Sequence, residues 1–270
     1  MMGKEHALVG FGAYAAGAYA AAHAGLFPNE FATASALTAG ALVSAGAALI
    51  PDIDHPSGTV ANAGGPVTQA LAHITNAVSG GHREGTHQLW FAAAFFLLVW
   101  ATTTGAETAA AAFNAPALIT WHLLASCAWF IIIVAFGAQA TSKTFLHQKF
   151  NRIWQKKTSA LAKAYAWVFA AITCLLTWLV CGPADLWGWL VPAVITGHLS
   201  HLVTDALTSA GLEILPGKRI YLPILGDTTS HNPVQMLLGV AAAVMGLGAI
   251  LFAATGWFPQ AIDLGNFSFT

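Results

Sequence analysis

The chain reads as an all-α protein, a polytopic transmembrane helical bundle of about seven spans with a metal site at its cytoplasmic face. Three observations predict this. Of 270 residues, 57% are hydrophobic and only 8% charged, more apolar surface than one soluble core can bury. Apolar stretches of roughly the 20 residues that cross a bilayer recur along the chain. All ten Lys and Arg fall on one side once these stretches are threaded through a membrane, and most His and Asp with ligand-like spacing share that side.

The spans run Ala7 to Phe27, Thr33 to Ile50, Leu89 to Thr104, Pro116 to Ala140, Ala164 to Cys181, Leu186 to Thr204 and Met236 to Trp257. The third is short for a crossing. Lys143, Lys149, Arg152, Lys156, Lys157 and Lys163 form the longest basic loop, which sets the cytoplasmic side. Lys4, Arg83, Lys218 and Arg219 then fall there too, whereas the opposite loops, with Glu30, Glu107, Asp185 and Asp263, carry no basic residue. This places the chain as a multi-pass membrane protein whose ligand-rich mouth faces the cytoplasm. The first apolar stretch lacks a strong basic leader and runs directly into a second span, so it reads as a mature helix rather than a cleaved signal. A single domain covers 1–270.

Within the first span, Gly17, Ala21 and Gly25 at four-residue spacing would admit a neighbouring helix, which places this span inside the bundle. The long segment from Pro51 to Gln88 contains Val67, Leu71, Ile74 and Val78 at helical spacing, between Pro66 and the stop Gly80-Gly81. A short interfacial helix is expected there, covering or flooring the polar site. The segment Leu207 to Gln235, with Pro216, Gly217, Pro223, Gly226 and Pro233, should be irregular with little helix. The helices flanking the basic loop are expected to extend into it.

Three motifs carry chemistry. Pro51-Asp52-Ile53-Asp54-His55-Pro56 closes the second span, its prolines restricting the backbone around oxygen and nitrogen donors. His82-Arg83-Glu84-Gly85-Thr86-His87 opens the third, where Thr86 is expected to cap the helix and place His87 on its first turn. Arg83 between the two imidazoles suits a bidentate grip on phosphate or carboxylate. His198, His201 and Asp205 are three and then four residues apart near the end of the sixth span and share one helix face, which must turn inward because Asp in mid-bilayer costs roughly 2.5 kcal/mol or more. His6 precedes the first span on the same side.

Imidazole and carboxylate donors in these numbers suit one or two divalent ions, Zn, Mn or Fe. A metal would activate water for hydrolysis, with Asp54 or Asp205 as general base when not a ligand. Membrane lipids are the expected partners, and a lipid or lipid-linked phosphoester the expected substrate at headgroup depth. A divalent-metal transporter or sensor would use the same ligands without chemistry. The net charge of −1 says nothing of nucleic acid, and none is expected as partner; the basic loop suits anionic headgroups instead. Cys127, Cys174 and Cys181 lie in apolar spans without a CxxC pair and read as core packers. His23, His122 and His147 fall outside the motifs, as do His73 and His231, which are given supporting roles at most. Lys218 and Arg219 are candidates for holding an anionic group.

In this order the motifs resemble the YdjM-like family of predicted bacterial inner-membrane metal-dependent hydrolases. The resemblance rests on Leu49-Ile50-Pro51-Asp52-Ile53-Asp54-His55, on His82-Arg83 with Thr86-His87, and on His201 to Asp205 continuing through Leu207, Thr208, Gly211 and Leu215-Pro216. It covers the N-terminal half and Gly197 to Pro223, leaving the Thr102 to Val191 spans without clear counterpart. It implies a membrane hydrolase whose metal-site residues are His6, Asp52, Asp54, His55, His82, His87, His201 and Asp205. Gln88 departs from the Ser or Thr usual after the paired His, and His198 stands where relatives carry other residues.

Overall fold

A computed structural model describes residues 3–146, 152–181, 188–227 and 232–256. In chain order the elements are α1 Gly3–His23, α2 Ala34–Ala47, α3 Thr59–Ala63, α4 Pro66–Ser79, α5 Leu89–Thr102, α6 Thr104–Phe113, α7 Pro116–Leu146, α8 Arg152–Cys181, α9 Leu190–Ala206, β1 Leu212–Leu215, β2 Lys218–Ile220 and α10 Pro233–Thr255. Short 3₁₀ turns occupy Pro51–Asp54 and Gly85–His87.

The all-α architecture is as expected, and the membrane signal is strong. Four segments are long and apolar enough to cross a bilayer: Ala34–Asp54, Pro116–Ser142, Ala160–Cys181 and Pro233–Thr255. The expected short third span is α5, which breaks after Thr102 and continues as α6 at 43°; the pair makes a fifth crossing if taken as one. Two further expected spans, α1 and α9, do not meet the same measure of length and composition. At 17 residues α9 reaches only about 26 Å.

Position in the bundle follows from side-chain size. In the Ala34–Asp54 span 72% of the most apolar window is buried, against 17% for Ala160–Cys181, so α2 is an inner wall and α8 an outer one. α1 touches α2, α7, α9 and α10, which bears out its expected interior place. The close approach lies elsewhere than predicted, however. Nothing comes within 4 Å of where a Cβ on Gly17 or Gly25 would sit, whereas one on Gly10 would lie 2.7 Å from Ser44 O and one on Gly12 2.0 Å from Ala242 O. Across α2, Gly46 meets the Ile133 carbonyl of α7 and Gly197 of α9 meets that of Ser44. Small residues thus let the backbones of five helices, α1, α2, α7, α9 and α10, approach closely, which supplies packing that lipid-like side chains cannot. Tyr14, Leu37, Phe130, Ile133, Trp189 and Leu190 fill the core between them.

α4 begins at Pro66 and ends on the left-handed Gly80 (φ 86°), matching its sequence pattern. Its stripe faces outward, with Val67, Leu71, Ile74 and Val78 all exposed. The polar side turns inward instead: Asn76 Nδ2 donates to Asp54 O (2.7 Å) and Thr68 to Ala61 O (2.8 Å). A helix with this inverted polarity suits an apolar surround.

The segment after α9 is more ordered than predicted. Leu212 pairs with Ile220 and Glu213 with Arg219 in an antiparallel hairpin that turns at Gly217 (φ 73°). Glu213 Oε1 accepts from Gln88 Nε2 (3.1 Å) and Gly217 N (2.9 Å), which ties the hairpin to the start of α5. Asn232 then caps α10, accepting from Val234 N at 3.0 Å and Gln235 N at 3.3 Å.

Candidate metal centre

Four chain segments meet at one end of the bundle: the first turn of α1, the 3₁₀ turn after α2, the loop entering α5 and the last turns of α9. Pro51 starts its 3₁₀ turn immediately beyond α2, delivering Asp52 and Asp54 to this point. The i, i+4 spacing on α9 puts His201 and Asp205 on one face, with His201 Nε2 3.6 Å from Asp205 Oδ2.

The imidazoles share a geometry. His201 Nδ1 donates to Ala48 O (2.7 Å). The Thr204 hydroxyl donates to carbonyls of its own helix, so it accepts from His6 Nδ1 at 3.0 Å. Likewise Thr86 donates to Asp54 Oδ2 (2.6 Å) and accepts from His87 Nδ1 (3.2 Å). In the tautomer with the proton on Nδ1, each of the three rings turns an Nε2 lone pair inward.

These lone pairs face one another and carboxylates. His87 Nε2 lies 3.1 Å from His201 Nε2, and His6 Nε2 3.3 Å from Asp205 Oδ1. Asp52 Oδ1 is 3.6 Å from His87 Nε2 and 3.7 Å from His201 Nε2, while Asp205 Oδ2 is 3.8 Å from His87 Nε2. Acceptors held this close in a buried place repel unless a cation lies among them. Zinc bonds of about 2.0–2.1 Å would put tetrahedral ligands roughly 3.3 Å apart, the scale seen here. Two groups therefore could hold a metal ion, His6 with Asp52 and His201, and His87 with His201 and Asp205.

A third group, Asp52 with Asp54 and His82, is nearer solvent. Side-chain exposure is 35% for His82 and 22% for Asp52, against 0–1% for His6, His87, His201, Asp54 and Asp205. Asp52 belongs to the first group as well and so stands between the buried donors and the mouth. Burial lowers the pKa of His82, but the hydrogen bond to Asp54 and the charges of Asp52 and Asp54 outweigh it and raise the value overall.

Asp54 accepts three hydrogen bonds, from His82 Nδ1 (2.9 Å), Arg83 N (3.1 Å) and Thr86 Oγ1. Arg83 adopts a left-handed backbone (φ 68°), costing about 1–2 kcal/mol for a residue with a Cβ. That turn aims its N–H at Asp54 while Nη2 reaches Asp205 Oδ2 at 3.1 Å.

Some expectations are redirected. Thr86 does not cap α5; Gln88 holds the capping position without a side-chain hydrogen bond, and Gly85–His87 forms a 3₁₀ turn. His55 lies outside the three donor groups, bonded to Ser57 Oγ (3.1 Å), its ring 4.6 Å from His82. His198 is buried against Phe91, Phe95 and Phe96 and joins no donor group. His122 is buried beside Glu107 at 3.9 Å, with Nδ1 lacking a hydrogen-bond partner. His23 and His73 are exposed, and His147 and His231 lie outside the described residues. Lys218 and Arg219 sit exposed on β2, with Arg219 donating to Ala210 O. The free cysteines belong to none of the donor groups. What the sequence did not mark as part of the centre is its supporting shell, Thr204, Asn76 and the Ala48 carbonyl; each is an ordinary helix or cap residue by pattern.

The family model for YdjM inner membrane protein matches residues 1–147. The chain belongs to the YdjM inner membrane protein family. Its matched stretch runs past Thr102 through α7 and contains His6, Asp52, Asp54, His55, His82 and His87. In this YdjM-family chain His201 and Asp205 lie beyond that stretch and join the other donors through the fold. No curated protein and no solved structure matches the chain.

Proposed function

We propose that this chain is a membrane-bound, metal-dependent hydrolase acting at the cytoplasmic membrane interface on a lipid or lipid-linked phosphoester. The observation that carries the reading is the convergence of three inward Nε2 lone pairs, from His6, His87 and His201, on the carboxylates of Asp52 and Asp205. In this reading the chain crosses the membrane seven times, α1 and α9 included, and positive-inside charge puts the centre on the cytoplasmic side.

The donor set suits one or two divalent ions, of Zn, Mn or Fe type. His6, His87, His201 and Asp205 would hold the enclosed position, and Asp54 and His82 a solvent-reachable one, with Asp52 shared between them and His55 beside His82. When bound, such an ion polarises the scissile group and lowers the pKa of water towards about 7. Asp54 already accepts three hydrogen bonds, so we assign it to positioning His82, Arg83 and Thr86, and Asp205 takes up the proton where it is not a ligand. Arg83 Nη1 is buried without a hydrogen-bond partner beside the donors, which suits an oxyanion of the substrate. The donor groups found among the described residues crowd one end of the bundle, an arrangement that favours an enzyme or sensor over a transporter with a mid-membrane site.

The test is metal analysis of purified wild type, Asp52→Ala and His201→Ala, paired with hydrolysis of a phospholipid and phosphoester panel. Both variants should lose metal and turnover together. Unchanged metal in both would sink the ligand set, and full metal without turnover on any substrate would transfer the centre to sensing or transport.

A further inference from the structure

Two neighbouring cavities follow one another along α2 and α8, outlining a groove. The first, about 160 Å³, lies between α1, α2, α7 and α8 and is lined by Ala7, Phe11, Ala45, Gly137 and Phe169 among others. The second, about 340 Å³, continues between α2 and α8 past Ala39, Thr173, Leu176 and Val180. Leu42 lines both. Along α8 the lining runs from Tyr165 to Val180, about 23 Å at 1.5 Å per residue, which is most of a hydrocarbon core of about 30 Å.

Apart from the Tyr165 phenol at one end, its chemistry is apolar even where residue types are not. Thr38 donates to Ala34 O, Thr141 to Ala138 O, Thr173 to Phe169 O and Thr177 to Thr173 O, so these hydroxyl protons go to carbonyls of their own helices. Ser35 is paired with Thr33. Water or a polar ligand finds few free partners. A helix of another protein, about 10–12 Å across, is too wide for the first cavity. Of the helices that line it, α8 along both cavities and α7 along the first are membrane-crossing segments with most of their apolar windows unburied, which opens the groove to lipid.

We propose that this groove binds the hydrocarbon chain of a membrane lipid. The site goes beyond the hydrolase reading and stands on membrane embedding alone. Ala7, adjacent to His6, lines the inner end, so a chain lying there presents its headgroup at the end of the bundle that carries the donors.

The test uses the full chain in liposomes of phosphatidylethanolamine and phosphatidylglycerol doped with a phospholipid carrying an acyl-chain diazirine. Irradiation should label peptides of α2 and α8 over the outward face of α10 by about fivefold, the factor given by about 1 kcal/mol of better packing. Leu42→Trp, which plugs the junction, should bring the labelling down to the α10 level. Leu42→Ala, which leaves it open, should keep the enrichment and guards against a misfolded Trp variant. Even labelling of α2, α8 and α10 would overturn the proposal, as would undiminished labelling in Leu42→Trp or cross-linking of the groove to a second copy. Neither metal nor turnover enters the readout, so failure here leaves the hydrolase reading untouched, and the converse holds.

Discussion

A single hydroxyl, that of Thr86, joins two parts of the centre by donating to Asp54 and accepting from His87. Thr86→Val keeps every donor yet frees the His87 ring, and metal affinity should fall about 10–100-fold in a chelator competition, as it does when a group that orients a metal-binding imidazole is removed. An affinity equal to wild type would show that the hydroxyl does not orient His87. The residue types of the centre were legible in the sequence because imidazoles and carboxylates are scarce in so apolar a chain. Their individual roles were not. Thr86 reads equally well as a cap, and His198 shares a helical face with His201, yet one turn of α9 carries it into the Phe91, Phe95 and Phe96 cage.

Among the elements, α4 couples the apolar surround to the site. Its outward stripe contrasts with Asn76, which grips the Asp54 backbone from the inward side. A fluorophore on a cysteine placed at Val78 should be quenched strongly by brominated lipid, and one at Thr68, whose hydroxyl turns inward to Ala61 O, weakly. Equal quenching would remove α4 from the interface. At α10, Asn232 satisfies two first-turn N–H groups, and Asn232→Ala should lower stability by about 1–2 kcal/mol in thermal unfolding. The helical spacing of α4 and its Pro and Gly boundaries announced it in advance. The bend between α5 and α6 and the β hairpin did not show, because both depend on partners: Trp129 Nε1 donates to Thr102 at the bend, and Gln88 anchors the hairpin through Glu213.

At the scale of the whole bundle, backbone contact between α1 and α10 is sensitive to mutation. A Cβ on Gly12 would fall 2.0 Å from Ala242 O, so Gly12→Val must force the helices apart. The expected loss is about 1–3 kcal/mol or more, read from the unfolding midpoint in detergent, with Gly17→Val as the neutral comparison. Because the centre gathers four chain segments, a bound ion would also act as a staple. Metal at about 100 times its Kd should stabilise the fold by about 2.7 kcal/mol, lost on chelation and absent in Asp52→Ala. A midpoint indifferent to chelator would separate the donors from the stability of the bundle.

The linear chain by itself determined the helical, membrane-bound class, the family, the end of the molecule where the donors gather and the short list of donor types. These are consequences of local composition and periodicity, which the bilayer reads one segment at a time. Only the tertiary structure decided which nitrogen of each imidazole turns inward, that Asp54 holds neighbours through three hydrogen bonds, and that Leu42 lines two neighbouring cavities. Those outcomes depend on contacts between residues far apart in sequence, as between His6 and Thr204 or His201 and Ala48, and no local pattern records them.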